Sequence, residues 1–129
     1  MDAVGPLQIR VLHFLWNHGP ATVHVVLDHL NSENMRNSQR RLAYTTVLTV
    51  MRNLARRKIL AQHATGRAHS FAPLIEREAY QESVLTQTRS DLFGGDTLAL
   101  LACLARDATI PEELRTQLLH IALRDRAAG

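Results

Sequence analysis

Thr45, Leu48, Thr49 and Arg52 stand at i, i+3, i+4 and i+7, the spacing that puts side chains on one face of an α-helix. Together they offer two hydroxyls, several methyl groups and a guanidinium. That set suits the edges of base pairs. Threonine hydroxyls bond to bases or phosphates, threonine and leucine methyls pack on a thymine methyl, and an arginine fork pairs bidentately with guanine, worth about 1–3 kcal/mol of discrimination. Tyr44 and Thr46 fall at the start of the same segment, where helix N–H groups and hydroxyls commonly hold a phosphate. Arg40, Arg41, Arg56, Arg57 and Lys58 flank it and fit phosphate contacts, which fix register without reading sequence. A helix that merely faced water would need neither this ring of arginines nor an exposed Leu48.

The elements that must position these residues follow from the hydrophobic pattern. Val47, Val50, Met51 and Leu54 repeat at i, i+3, i+4, i+7 on the opposite face and predict a helix over residues 43–57 with one buried stripe. Before it, Val11, Leu12, Leu15 and Trp16 predict a helix over 7–17, opened by Gly5-Pro6 and closed by Gly19-Pro20. Val23, Val26, Leu27 and Leu30 predict a short second helix with Thr22 as its N-cap. Residues 31–41 are polar, with only Met35 apolar, and read as an exposed basic loop. After the third helix the period changes. Residues 59–64 and 68–73 are β-compatible runs joined by Thr65-Gly66-Arg67, a two-stranded hairpin with a basic tip whose second strand Pro73 closes at an edge. Helix, helix, loop, helix, hairpin is the order of a winged helix-turn-helix, whose third helix enters the major groove while the wing touches the backbone or minor groove.

Beyond residue 73 the pattern is helical throughout. A charge-rich helix is expected over 75–92 and ends at Gly94-Gly95; Asp96 then caps a helix bearing Leu98, Leu100, Leu101 and Leu104 that is too apolar all round to be left in water. Thr109 and Glu112, with Pro111 between them, form a TxxE capping box for a last helix presenting Leu114, Leu118 and Ile121. The expected architecture is therefore mostly α with a small β-hairpin wing: a winged helix-turn-helix domain over residues 1–73 and a helical dimerisation arm over 74–129. Leu101, Leu104, Leu118 and Ile121 are the candidates for the dimer surface. Tyr80 and Val84, at i, i+4, suit either the dimer surface or packing within the chain.

Charge divides at the same place. Residues 1–73 hold nine Arg/Lys against three Asp/Glu, a net +6, whereas residues 74–129 hold six against nine, a net −3. A basic half suits a polyanion because each neutralised phosphate releases condensed counterions, and an acidic half is repelled by the same ligand.

Five segments in order, Leu12-x-x-Leu15-Trp16, Pro20-Ala21-Thr22-Val23, Leu42-Ala43-Tyr44-Thr45-Thr46-Val47, Gly66-Arg67-Ala68 and Leu92-Phe93-Gly94-Gly95, resemble the penicillinase-repressor (BlaI/MecI) family in sequence and spacing over nearly the whole chain. The resemblance implies a homodimeric winged-helix transcriptional repressor that binds palindromic double-stranded DNA operators and pairs through its C-terminal helices. By position, Thr45, Thr46, Thr49 and Arg52 match the family's recognition helix and Arg67 its wing. With Arg41, Tyr44, Leu48 and Arg56 these complete the candidate DNA contacts. Related repressors commonly have Gly where this chain has Lys58, so a different helix-to-strand turn is expected. The 31–41 loop also looks longer than in the relatives. In antibiotic-responsive members a sensor-linked protease, a candidate partner, acts within the arm near the position of Ala102-Cys103, where this chain lacks an Asn-Phe type site. Copper-responsive relatives carry a cysteine cluster that is absent here, so neither inducer is transferred.

Other constellations lead elsewhere and are weaker. His24 and Asp28 at i, i+4 place two metal ligands on one helical face, but two ligands do not make a site; His13, His18 and His29 scatter around their helices, and His63 and His69 are at best opposed across the hairpin. No cofactor or metal is expected. The single cysteine, Cys103, excludes a disulfide framework and reads as a small packed hydrophobe. No triad, glycine-rich phosphate loop or paired-carboxylate motif supports an enzyme. Aromatics at 5% of the chain are too few for the stacking platforms of a single-stranded RNA binder. No apolar stretch approaches the ~18 residues that span a bilayer, and the first residues lack the basic, apolar and small-residue sections of a signal peptide, so a cytoplasmic protein without membrane contact is expected. The competing function is a winged-helix module whose third helix binds protein instead of DNA; it needs no arginine ring and its binding depends only weakly on salt.

Overall fold

A computed structural model describes residues 3–128, with backbone only at Thr65 and residues 125–128. The chain runs α1 (Pro6–His18), β1 (Ala21–Thr22), α2 (Val23–Arg36), α3 (Tyr44–Arg56), β2 (Leu60–Thr65), β3 (Ala68–Pro73), α4 (Arg77–Phe93), α5 (Thr97–Ala105) and α6 (Glu112–Ala128). It is mostly helical with one small antiparallel sheet, as the periodicities predict, and it divides into two units, Ala3–Tyr80 and the chain from Gln81 onward.

The first unit is built on the three amphipathic stripes. Val11, Leu12 and Leu15 of α1, Val26 and Leu30 of α2, and Val47, Met51 and Leu54 of α3 are at most 1% exposed and meet Ile59, Leu60 and Phe71 from the sheet side. Val50 of the predicted third stripe is only half-buried. Strand order is β1-β3-β2, so the expected two-stranded hairpin is a three-stranded sheet. Phe71 sits at its centre, opposite both Ala21 and Gln62. Two residues of β1 carry no period that a sequence could reveal. They are strand because β3 offers them a ladder, and Thr22 then serves twice, its hydroxyl oxygen accepting from the Val25 N–H at 3.4 Å to cap α2. Pro73 pairs opposite Leu60 beyond the end of β1, where its missing N–H costs no ladder bond.

The expected loop over 31–41 is corrected: α2 continues through Arg36. Its buried residues are Val23, Val26, Leu30 and Asn34, so Asn34 occupies the place where the apolar stripe would put its next hydrophobe. The amide is tolerated because it is bonded on both sides, accepting from Arg10 at 2.9 Å and donating to the Arg40 carbonyl at 2.6 Å. The second correction concerns Lys58. The turn from α3 into β2 keeps a left-handed residue there, with φ of +61°, although the side chain is lysine. Leu54 O accepts from the Ile59 N–H at 2.9 Å and Ala55 O from the Lys58 N–H at 3.0 Å, which satisfies the helix's last carbonyls despite the strain.

The unit ends after Tyr80, seven residues past the expected boundary at Pro73, because residues 75–80 are bonded into it. Trp16 donates its indole N–H to Ile75 O at 2.9 Å, Arg77 bonds to Asn17 and lies 5.8 Å from the Trp16 ring centroid, and the Tyr80 hydroxyl accepts from the Val4 N–H at 3.0 Å. In the second unit Gly94 and Gly95 both take positive φ, and Asp96 Oδ1 accepts from the Ala99 N–H at 3.0 Å, capping α5 as expected. The TxxE box is not formed: the Thr109 hydroxyl donates to Asp107 Oδ1 at 2.7 Å, and α6 starts behind Pro111, whose carbonyl accepts from Arg115. Thr109 is held in a local turn because its N–H also reaches Asp107 Oδ1, at 2.9 Å. α5 and α6 pack on each other. Among the described side chains of this pair only Ala122 is buried, at 2% exposure.

Candidate nucleic-acid interface

α3 is set in place by its stripe from below and by two asparagines of α2 from the side. Asn31 Oδ1 accepts from the Leu42 N–H at 2.7 Å and its Nδ2 donates to Leu42 O at 3.2 Å. Asn34 takes the Arg40 carbonyl and, through its own backbone oxygen, the Gln39 N–H at 2.7 Å. Arg10 of α1 ties this lattice down, donating to Asn34, to Glu33 at 3.2 Å and to Leu30 O at 3.4 Å. The segment entering α3 is thus clamped residue by residue. Sequence reading missed all three of Arg10, Asn31 and Asn34; the signal was Asn34's position eleven residues after Val23, in phase with the α2 stripe.

The outer face of α3 is bare. Thr45, Thr46, Thr49, Arg52 and Arg56 are exposed, Tyr44 is 40% exposed, and Leu48 is half-buried. No side chain caps the helix start, and its first turn contains no acid, so its N–H groups and positive dipole end stay open to an anion. Tyr44, Leu48 and Arg52 form one wall of a groove of about 310 Å³ whose other wall is the wing, with Arg67, His69 and Gln62; the N-terminus of α2 closes one end through Thr22 and His24. Among the described residues lining it none is acidic. Arg67 follows Gly66 at the wing tip, where φ of +65° makes the two-residue turn. Arg52 also borders a second hollow with Arg56 and Gln62. Arg41 is exposed but opens on a different hollow, of about 370 Å³, with Asp28, Met35 and Gln39.

The remaining candidates fall out as follows. Tyr80 is corrected from the dimer set: it is 5% exposed, hydrogen-bonded to Val4, and its ring centroid lies 5.6 Å from that of Trp16, which leaves no surface for another chain. Val84, Leu101 and Leu118 are half-buried, while Leu104 and Ile121 are 40% and 39% exposed. Cys103 is exposed, not packed as expected. Several histidines lie against other rings: His18 and His29 stack on Phe14 at 4.8 and 4.5 Å, and His24 lies 4.7 Å from Tyr44. His63 pairs with Ser70 and His69 with Ala64, so these two point to opposite faces of the hairpin instead of facing each other. Among the described residues no three His, Cys, Asp or Glu side chains gather as a metal site needs. The described residues contain no helix long and apolar enough to cross a membrane.

Three helices clamped around one core, with α3 bare beside a wing, make a winged helix-turn-helix domain. Residues 4–123 match the penicillinase repressor family, and the chain belongs to that family. Two curated relatives from Mycobacterium tuberculosis, from strains CDC 1551 / Oshkosh and ATCC 25618 / H37Rv and each described as transcriptional regulator BlaI, are 37% identical over 79 residues, 60% of this chain and 53% of theirs. The chain therefore spans about half the length of the curated relatives it matches. The solution structure of the DNA binding domain of the repressor BlaI is similar with a TM-score of 0.50, at 19% identity, over 62% of this chain and 94% of that one, a likeness of fold.

Proposed function

We propose that this chain is a cytoplasmic homodimeric transcriptional repressor that binds a palindromic operator and blocks a promoter sterically. Each copy inserts α3 into the major groove of one half-site, where Thr45, Leu48, Thr49 and Arg52 read base edges. Tyr44, Thr46, Arg41 and Arg56 hold flanking phosphates, and Arg67 on the wing holds backbone beyond the half-site. Helices α5 and α6 pair the two copies, and two-fold pairing requires an inverted-repeat operator. The observation that carries this reading is the groove itself: Arg52 and Arg67, fifteen residues apart in sequence, line one concave surface with no acid among its described lining residues. A protein-binding third helix has no use for that arrangement.

The test is a titration of the purified chain against its own upstream promoter fragment and a scrambled fragment across a salt series. Specific binding with a steep loss of affinity as salt rises supports the proposal, since each neutralised phosphate contributes a slope of about −0.9 in log K against log salt. Weak, salt-insensitive binding to both fragments overturns it and moves α3 to the protein-interaction class.

A further inference from the structure

We infer that His24 and His69 make the groove between α3 and the wing a proton-dependent clamp for the DNA phosphate strand, so that the chain holds DNA more tightly as pH falls. The inference rests on the DNA-binding reading above and adds two contact residues and a mode of regulation to it.

A helix seated in the major groove with a wing reaching past it leaves one sugar-phosphate strand running between them. In this chain that place is the groove lined by Arg52 of α3, Arg67 and His69 of the wing and His24 of α2. Both imidazoles are exposed. His24 is the second residue of α2, a helix with no acid in its first turn, so its ring and the positive helix end favour the same anion. Its ring is held 4.7 Å from that of Tyr44, at 33° between planes, which fixes it against the N-terminus of α3. His69 lies on β3 opposite Ala64, whereas His63 faces away.

The titratable and charged groups that share the groove with His24 are Tyr44, whose ring it lies against, and Arg52 from α3, and Arg67 and His69 from the wing. On its own helix Asp28 stands one turn further on, lining the hollow that holds Arg41. His69 shares the groove with Arg52, Arg67, Tyr44 and His24. Protonating both imidazoles therefore places four positive groups around one groove. Without an anion they repel; a phosphate strand relieves the repulsion and favours the charged rings. Histidine is the side chain whose charge turns over between about pH 5 and pH 8, and linkage then requires that DNA binding take up protons and that acid tighten binding. Because phosphate contacts carry no sequence information, the effect falls equally on specific and non-specific DNA.

The experiment is binding of the full chain to its upstream promoter fragment and to a scrambled fragment at about pH 8 and about pH 5.5 and constant ionic strength, the span over which imidazole changes charge. Wild type is expected to gain about tenfold in affinity for each histidine whose charged form DNA favours by one pKa unit, on both fragments alike. A His24→Gln/His69→Gln variant is expected to lose that gain. A His24→Arg/His69→Arg variant is expected to bind at the higher pH as tightly as wild type binds at the lower. Thermal melts of each variant at both pH values establish that the fold is intact; both side chains are exposed, so it should be. A wild-type gain that survives in the glutamine variant, or that is confined to the promoter fragment, overturns the inference. Salt-dependent binding with no pH dependence overturns it and leaves the DNA-binding reading standing, whereas salt-insensitive binding at both pH values overturns both.

Discussion

On the proposed reading, residues that share the α3 groove should do different work, and the difference is measurable. Arg52 projects from α3 beside the two threonines, and Arg67 projects from a turn. Arg52→Ala is therefore expected to relax base preference at one position in each half-site, costing roughly 1–3 kcal/mol on the preferred operator, while Arg67→Ala weakens all sequences alike. Binding matrices for the two variants decide it, and an Arg52→Ala matrix that matches wild type removes Arg52 from the reading set. A residue outside the groove matters in another way. Asn34, 4% exposed, holds the Arg40 carbonyl and the Arg10 guanidinium at once. Asn34→Ala leaves the Arg40 carbonyl without that partner, and a loss of about 1–3 kcal/mol is expected in urea unfolding. Loss well below this range would show that the carbonyl finds water instead. The exposed face of α3 was legible because it lay opposite an apolar stripe. Asn34 was not, because an amide reads as a loop former until its partners, Arg10 lying 24 positions away in sequence, are known to satisfy it.

At the scale of elements, what the sequence displayed was period, and what it concealed was local pairing. α1, α3 and the hairpin announced themselves through stripes and a Gly-containing turn. α2 was foreshortened because Asn31, Ser32, Glu33 and Asn34 carry no apolar period, although two of them lock the following segment. β1 exists only through its partner β3, and the start of α6 was misread because Thr109 bonds Asp107 more readily than it caps. That last contact has a pH signature. The Thr109 hydroxyl, then the Thr109 N–H, and more weakly the charge of Arg115 hold Asp107 below the ordinary aspartate range, against a small opposing effect of burial. A carboxylate depressed in the folded state contributes stability that is present above its unfolded pKa and is lost as pH falls through the folded one. Thr109→Ala is expected to move the Asp107 midpoint upward in an NMR titration; an unmoved midpoint would assign the shift elsewhere. The turn at Lys58 allows a gain instead. Relief of a left-handed lysine is worth about 1–2 kcal/mol, offset by about 0.4–1 kcal/mol of extra unfolded-state freedom for glycine, so Lys58→Gly should stabilise by up to about 1.5 kcal/mol. A lower melting temperature in that variant would mean that the lysine side chain makes a stabilising contact outweighing its backbone strain.

For the whole molecule the two units pose opposite problems. The first closes its own core; the second does not. Leu104, Leu114, Leu119, Ile121 and Leu123 are 39–58% exposed, and a pair of helices with so little buried gains too little from tertiary packing to hold its shape in water, since short helices draw most of their stability from a covered apolar face. On the proposed reading a second copy would supply that cover without introducing any new sequence, and an isologous contact would place equivalent leucines against one another. It would also fit the charge division, because a net −3 over residues 74–129 would be repelled by the polyanion that the net +6 of residues 1–73 suits. If the arm is the dimer interface, sedimentation of wild type should give twice the 14.5 kDa of one chain, and Leu101→Asp and Leu118→Asp should shift it toward the single-chain mass, because a carboxylate buried without a partner costs several kcal/mol. Helix content measured by circular dichroism separates the two routes to that result. A monomer that keeps its helices has lost only the contact between copies, and a monomer that loses those of the arm shows that pairing and folding of α5 and α6 are one event. Both variants remaining dimeric would place the interface elsewhere, and the exposed leucines would then need another partner.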